Sequence, residues 1–157
     1  MSDQPRGLYF DDFTVGDVHV TGRRTITSTD IVNFACLSGD FNEVHANWEY
    51  CQTTAFGEPV AHGPLVYSIS AGLVYASGVN DGTLLALLQI TDWVMLAPVK
   101  HGDTIRLSQE VVATRPASSG DKGVVTFDRR VLNQHDDVVQ KMTGTYLYKR
   151  RPDNITA

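Results

Sequence analysis

The chain has 157 residues, 42% apolar and 20% charged, with a net charge of −5, which excludes a disordered or fibrous protein and suits a globular domain with its own core. An acidic balance argues against a nucleic-acid partner, because phosphate affinity needs a clustered basic surface. No run of about eighteen uncharged apolar residues occurs, so no membrane-spanning helix is expected.

The start, MSDQPRGLYFDDF, lacks the apolar core of a secretory signal, and a mature, unexported, cytoplasmic chain is the expectation. Cys36 and Cys51 form neither a CxxC nor a metal-type spacing and read as small packing residues in a reducing compartment. No repeat, low-complexity segment or linker divides the sequence, so residues 1–157 read as one domain.

In chain order, Val18–Ile26 has the β-branched content of a strand and follows the turn signal Gly16-Asp17. Thr27–Asp30 offers N-cap residues for a helix whose Ile31, Phe34 and Ala35 share a face, and Gly39 is placed to stop it. Ala46–Thr54 predicts a second short helix, and Glu58–Pro64 an extended connector. From Pro64 to Gly78, Leu65, Ile69, Leu73 and Ala76 recur at helical spacing with no charged group, which predicts a helix enclosed by the rest of the protein. Pro64 suits its first turn, where a missing N–H costs nothing.

Strand patterns follow at residues 84–96, 104–115, 123–132 and 138–150, separated by Gly102-Asp103, residues 118–121 and residues 133–137. Ile105, Leu107, Gln109 and Val111 alternate in the second, and Val125, Phe127, Arg129 and Val131 in the third. This order predicts an α+β domain in which a curved antiparallel sheet wraps a long central apolar helix.

Chemistry concentrates in SGDFNEVHANWEY, Ser38 to Tyr50. Asp40 and His45 are too far from i, i+4 spacing to share one face of a regular helix, but a loop can turn them toward one water. The imidazole then takes a proton while the carboxyl group gives or receives the second. Asn42 between them can fix a side chain or the backbone without taking a proton. Read alone, the same stretch is also an Asx-rich helix exit with Asn47 as an N-cap. A second segment, Ala61–Leu65 (AHGPL), opens the apolar helix. Free N–H groups and partial positive charge at such an N-terminus suit a developing oxyanion, with Gly63 or Leu65 as donor. His62 lines this site or packs beneath it. A metal cluster of Asp40, His45, His62 and His101 matches no ligand spacing; His101 is more simply a turn residue. Trp93, Tyr146 and Tyr148 read as core or interface residues.

The linked motifs SGDxNxxH, FG and AHG, within Phe34 to Ser68, resemble the signature of the MaoC-like dehydratases, the family of (R)-specific enoyl-CoA hydratases. FDDFTVGD near the start and LAPVKHGDT at Leu96–Thr104 agree with it. The resemblance implies the hotdog fold and a homodimer joined edge to edge by its sheets. It also implies reversible addition of water to a trans-2-enoyl-CoA to give the (R)-3-hydroxyacyl ester, with no cofactor beyond the coenzyme A of the substrate. It places the catalytic pair on Asp40 and His45 and the thioester-oxygen donor on the Gly63 N–H, with Asn42, His62 and Leu65 as substrate-binding candidates. Glu43 stands where the family usually has Pro, and Pro64 where Met is common. On the same fold, a thioesterase or a noncatalytic acyl-thioester-binding subunit are the alternatives.

Charge is uneven along the chain: residues 1–99 hold 3 of the 13 Lys and Arg and 11 of the 18 acids, residues 100–157 the remaining 10 and 7. The basic excess after residue 100 is either a solvated strand face or a place for coenzyme A phosphates, with Lys100, Arg115, Lys122 and Arg130 as candidates.

Overall fold

The computed structural model describes residues 6–152; the first five residues of MSDQPRGLYFDDF lie outside them. A 3-10 turn at Phe10–Asp12 precedes strands β1 (Val18–Val20) and β2 (Arg24–Thr25). Helices α1 (Ser28–Ser38), α2 (Glu43–Ala46), α3 (Trp48–Gln52) and α4 (Gly63–Ala76) follow. Strands β3 (Leu84–Met95), β4 (Thr104–Pro116), β5 (Lys122–Leu132) and β6 (Val138–Lys149) complete the described chain. The sheet runs β1-β4-β5-β6-β3, with β2 also on β4, and each pairing is antiparallel. No helix among the described residues is long and apolar enough to cross a membrane.

Each long strand arises where the sequence alternates. Ile105, Leu107, Gln109 and Val111 of β4 and Val125, Phe127, Arg129 and Val131 of β5 all face inward and are buried. They meet Leu65, Val66, Ile69 and Val74 of α4 in one cluster and Phe10, Phe13, Tyr146 and Tyr148 in another. Each fully buried aliphatic side chain contributes about 1.5–3 kcal/mol, so the sheet's inner face and α4 hold each other in place.

The single strand expected over residues 18–26 is two. The Thr21 hydroxyl accepts the Leu107 N–H at 3.0 Å and donates to the Gly22 carbonyl at 2.8 Å. A side chain thereby takes a ladder position that backbone would fill, and pairing lapses between Val20 and Arg24. The helix α1 begins and ends as its sequence requires. The Thr27 side chain accepts from the Asp30 N–H while Asp30 accepts from the Thr27 N–H, and Gly39 closes the helix at φ 77°.

The expectation that the apolar helix is enclosed needs correction. Leu65, Val66, Ile69, Ser70 and Val74 are buried, but Pro64, Ser68, Gly72 and Tyr75 form an exposed stripe, with Tyr75 71% exposed. The sheet curves around one side of α4 only, so among the described residues the uncharged outer stripe has no cover. Leu85, Leu87 and Leu88 of β3 are also exposed, and among the described residues β3 pairs with β6 alone.

Candidate active site

Gly39 turns the chain out of α1 and delivers Asp40 into a short loop, fixed at once by side-chain bonds. The Asp40 N–H donates to Ser38 Oγ (3.2 Å), and the Asn42 N–H donates to Asp40 Oδ1 (3.2 Å). Asn42 then caps α2, its side chain accepting from the Val44 N–H. Four residues long, α2 carries His45 in its last turn. Val60 bolts this turn to the following connector: its N–H donates to the Val44 carbonyl (3.0 Å), and its carbonyl accepts from His45 Nδ1 (2.7 Å). The next residue, Ala61, donates to the Val99 carbonyl at 2.7 Å, which ties the connector to the core in front of α4. Asn47 caps α3 by accepting from the Tyr50 N–H. The Asx-rich reading and the reading as a chemical site are therefore both present in one loop.

These ties bring Asp40, His45 and His62 together, one donor atom of each lying within 4.8 Å of the others. The His45 and His62 rings stack with centroids 3.7 Å apart and an interplanar angle of 27°. His62 is 2% exposed and lies beneath; the Asp40 side chain is 54% exposed. His62 Nε2 donates to the Asp40 backbone carbonyl at 2.9 Å. A carbonyl oxygen can only accept, so both bonds define tautomers. The neutral His45 ring then carries its hydrogen on Nδ1 and offers Nε2 as the acceptor, and the neutral His62 ring carries its hydrogen on Nε2. The His62 nitrogen nearest Asp40 is committed as a donor and has no lone pair to offer a metal; among the described residues its Nδ1 has no partner. His101 lies apart from them, its Nδ1 accepting from the Ser28 N–H at 2.9 Å.

Gly63 is the first residue of α4, directly after His62. Among the described residues nothing accepts from its N–H, as expected at the open end of a helix. Its carbonyl is fixed by Gln140 Nε2 at 2.9 Å, and Gln140 Oε1 accepts from Trp93 Nε1 at 3.3 Å. A Cβ at Gly63 would come within 2.5 Å of the Met95 methyl, so a larger residue here would have to displace the Met95 side chain. Beside it lies a groove of about 320 Å³ lined by Phe56, Val66, Met95 and Gln140 among others. The Leu65 side chain points into the core. Sequence reasoning did not single out Gln140; the signal was a polar residue at an inward position of β6, between the buried Val139 and Met142.

Cys51 is buried and free, and Cys36 exposed and free. Burial, with Glu43 nearby, pushes the Cys51 thiol up, so it packs as an inert group. The candidate phosphate-binding cations are dispersed. Lys100 lies 3.4 Å from Glu58 near the site, Lys122 3.8 Å from Asp121, and Arg130 2.6 Å from Asp128.

Comparison with known proteins gives the frame for this geometry. A family profile described as MaoC like domain matches residues 13–132. The MaoC protein of Klebsiella aerogenes is 41% identical over 103 residues, 66% of this chain and 30% of that protein, so the chain spans under a third of its length. An (R)-specific enoyl-CoA hydratase of Rhodospirillum rubrum is 37% identical over 123 residues, 76% of this chain and 77% of that one. The crystal structure of a MaoC-like dehydratase from Rhodospirillum rubrum superposes with a TM-score of 0.81 at 28% identity, covering 93% of this chain and 99% of that chain. A Mycobacterium tuberculosis protein with a double hotdog fold, 21% identical, matches with a TM-score of 0.82 over 96% of this chain and 47% of that one, which bears on the fold alone. The curved sheet on α4 is the hotdog arrangement, and the chain belongs to the MaoC-like dehydratase family.

Proposed function

We propose that the chain adds water to C3 of a trans-2-enoyl-CoA to give the (R)-3-hydroxyacyl ester, or removes it in reverse, and that Asp40, His45 and the Gly63 N–H carry the reaction. The observation that supports this most is convergence. Asp40 from the loop after α1, His45 from α2 and His62 come together, and Gly63, with its unpartnered N–H, directly follows His62 at the start of α4. In the hydration direction His45 Nε2 takes one proton from water as the C3–O bond forms. The electron pair of the double bond moves through C2 onto the thioester oxygen, where the Gly63 N–H and the start of α4 meet the growing charge. The Asp40 carboxyl group delivers a proton to C2, and the proton held by His45 restores it. Asn42 holds the Asp40 carboxyl group and His62 the Asp40 main chain, and Leu65 fixes the first turn of α4 from below.

The functional unit is a homodimer joined along β3, whose free edge and exposed leucines ask for a partner. Incubation with crotonyl-CoA tests the reaction. Loss of the conjugated thioester absorbance with no release of free thiol is the expected result; thiol release instead would replace hydration with thioester hydrolysis.

A further inference from the structure

Three inward positions of the sheet are polar among apolar neighbours: Gln109 on β4, Arg129 on β5 and Gln140 on β6, all buried. Gln140 has a use, since it holds Gly63. Arg129, 2% exposed, has none in the reaction above. Its guanidinium keeps its charge in any protein setting, yet among the described residues no carboxylate forms an ion pair with it. Nη1 donates to the Tyr146 hydroxyl, and Nε is buried without a partner. The rings of Tyr67 and Tyr146 lie 5.7 and 5.4 Å from Cζ. Such contacts offset part of the lost hydration but leave the charge uncompensated. Tyr146 brings no negative charge, because burial above all pushes its phenol far up.

Arg129 opens on a cavity of about 330 Å³ between α4 and the sheet, whose lining includes Tyr67, Ala71, Gln109 and Tyr146. Gly144 makes room for the guanidinium arm: a Cβ there would stand 3.1 Å from Arg129 Cδ and 2.7 Å from the Tyr146 ring. Packed side chains link the oxyanion donor to the wall of this cavity. Gly63 is bonded to Gln140 and Gln140 to Trp93. The Trp93 ring packs on Tyr67 at 5.4 Å, and Tyr67 faces Arg129. Tyr67, which faces Arg129, stands about 6 Å beyond Gly63 along the helix axis.

We propose that Arg129 pairs with a carboxylate at the far end of the acyl group, so that the cavity between α4 and the sheet selects short dicarboxylic acyl-CoA esters over methyl-terminated ones. This rests on the enoyl-CoA reading of the site at Asp40, His45 and Gly63. A carboxylate accepts two parallel N–H bonds from a guanidinium, gives the orphan Nε–H a partner and cancels the buried charge. A terminal methyl does none of these, and a site built for a polar group rejects the analogue that lacks it.

Calorimetric titration of the full chain with glutaryl-CoA and pentanoyl-CoA, saturated esters of equal chain length, tests the pairing. Glutaryl-CoA is expected to bind more tightly by at least about tenfold, and this ratio is expected to collapse toward unity in Arg129→Gln. Equal affinity of the wild-type protein for the two esters overturns the proposal whether or not the variant folds, as does an unchanged ratio in a folded Arg129→Gln. Neither ester has a double bond to hydrate. Failure of the hydratase reading would therefore show as absent turnover of both crotonyl-CoA and its carboxylate-terminated counterpart glutaconyl-CoA with the binding ratio intact, and failure of the Arg129 pairing as turnover without the ratio.

Discussion

His62 is buried, and among the described residues its side chain makes one hydrogen bond, to the main chain of Asp40. Its role follows from that bond: it fixes where the carboxyl group stands, and its ring supports the His45 ring by stacking. Replacing His62 by Phe keeps a ring under His45 and removes the N–H, so kcat is expected to fall by about tenfold with KM nearly unchanged. Steady-state kinetics on crotonyl-CoA read the split; a rise in KM alone would instead place His62 in ground-state binding. At this scale the sequence was uneven evidence. Asp40, His45 and Gly63 stood out because each is a chemically distinctive residue in a polar or helix-starting stretch. Arg129 and Gln140 did not, although Arg129 stood in plain view within an inward alternation. A sequence cannot say whether a buried cation meets an acid elsewhere in the fold, and only the three-dimensional neighbourhood shows that among the described residues this one does not.

Helix boundaries were legible where capping chemistry is local. Thr27, Asp30 and Gly39 mark the ends of α1, and Asn47 that of α3, through bonds made within three or four residues. The short α2 was hidden, since four residues carry no periodicity, and it forms because Asn42 caps it and Val60 ties it down. The break between β1 and β2 was hidden for the opposite reason, because it depends on Thr21 meeting Leu107, far along the chain. Removing the cap in Thr27→Ala is expected to cost about 1 kcal/mol in denaturant unfolding. Its partner Asp30 adds a pH signature. Burial alone would raise this carboxyl, but bonds from Thr27 and the Arg24 guanidinium outweigh it and hold it below the usual carboxylate range. A group depressed in the folded state contributes stability that is complete above its unfolded value, about pH 4, and lost as pH falls through the folded value. Asp30→Asn is therefore expected to unfold at lower temperature than the wild type at pH 7, with the difference shrinking as the pH drops below about 4. A difference independent of pH would mean that the carboxylate charge is not what stabilises the helix start. On β5, a Cβ at Gly123 would stand 2.1 Å from the Phe10 ring, so Gly123→Ala is expected to destabilise by about 1–3 kcal/mol in the same measurement.

The whole molecule has an unfinished side. The outer stripe of α4 and the leucines of β3 are uncharged and exposed, and Tyr75 and Leu87 border the same cavity as Arg129. The expectation of a helix enclosed by the rest of the protein was sound about polarity and wrong about the cover, since periodicity marks a face as apolar without saying which chain meets it. Pairing of two copies along β3 would supply that cover. Sedimentation is expected to give twice the chain mass for the wild type and a monomer for Leu88→Lys, which places a charge on the exposed edge. A wild-type monomer at micromolar concentration would remove the β3 interface from consideration.

The pairing of Asp40 with His45 as proton-transfer groups is the claim on which the functional reading stands. The direct measurement is crotonyl-CoA hydration by Asp40→Asn, which keeps the shape and the acceptor oxygen facing the Asn42 N–H and removes the exchangeable proton. Turnover is expected to fall by about 10²–10⁴-fold while the circular dichroism spectrum and acyl-CoA binding stay as in the wild type. Turnover at the wild-type rate in a folded Asp40→Asn protein would contradict it.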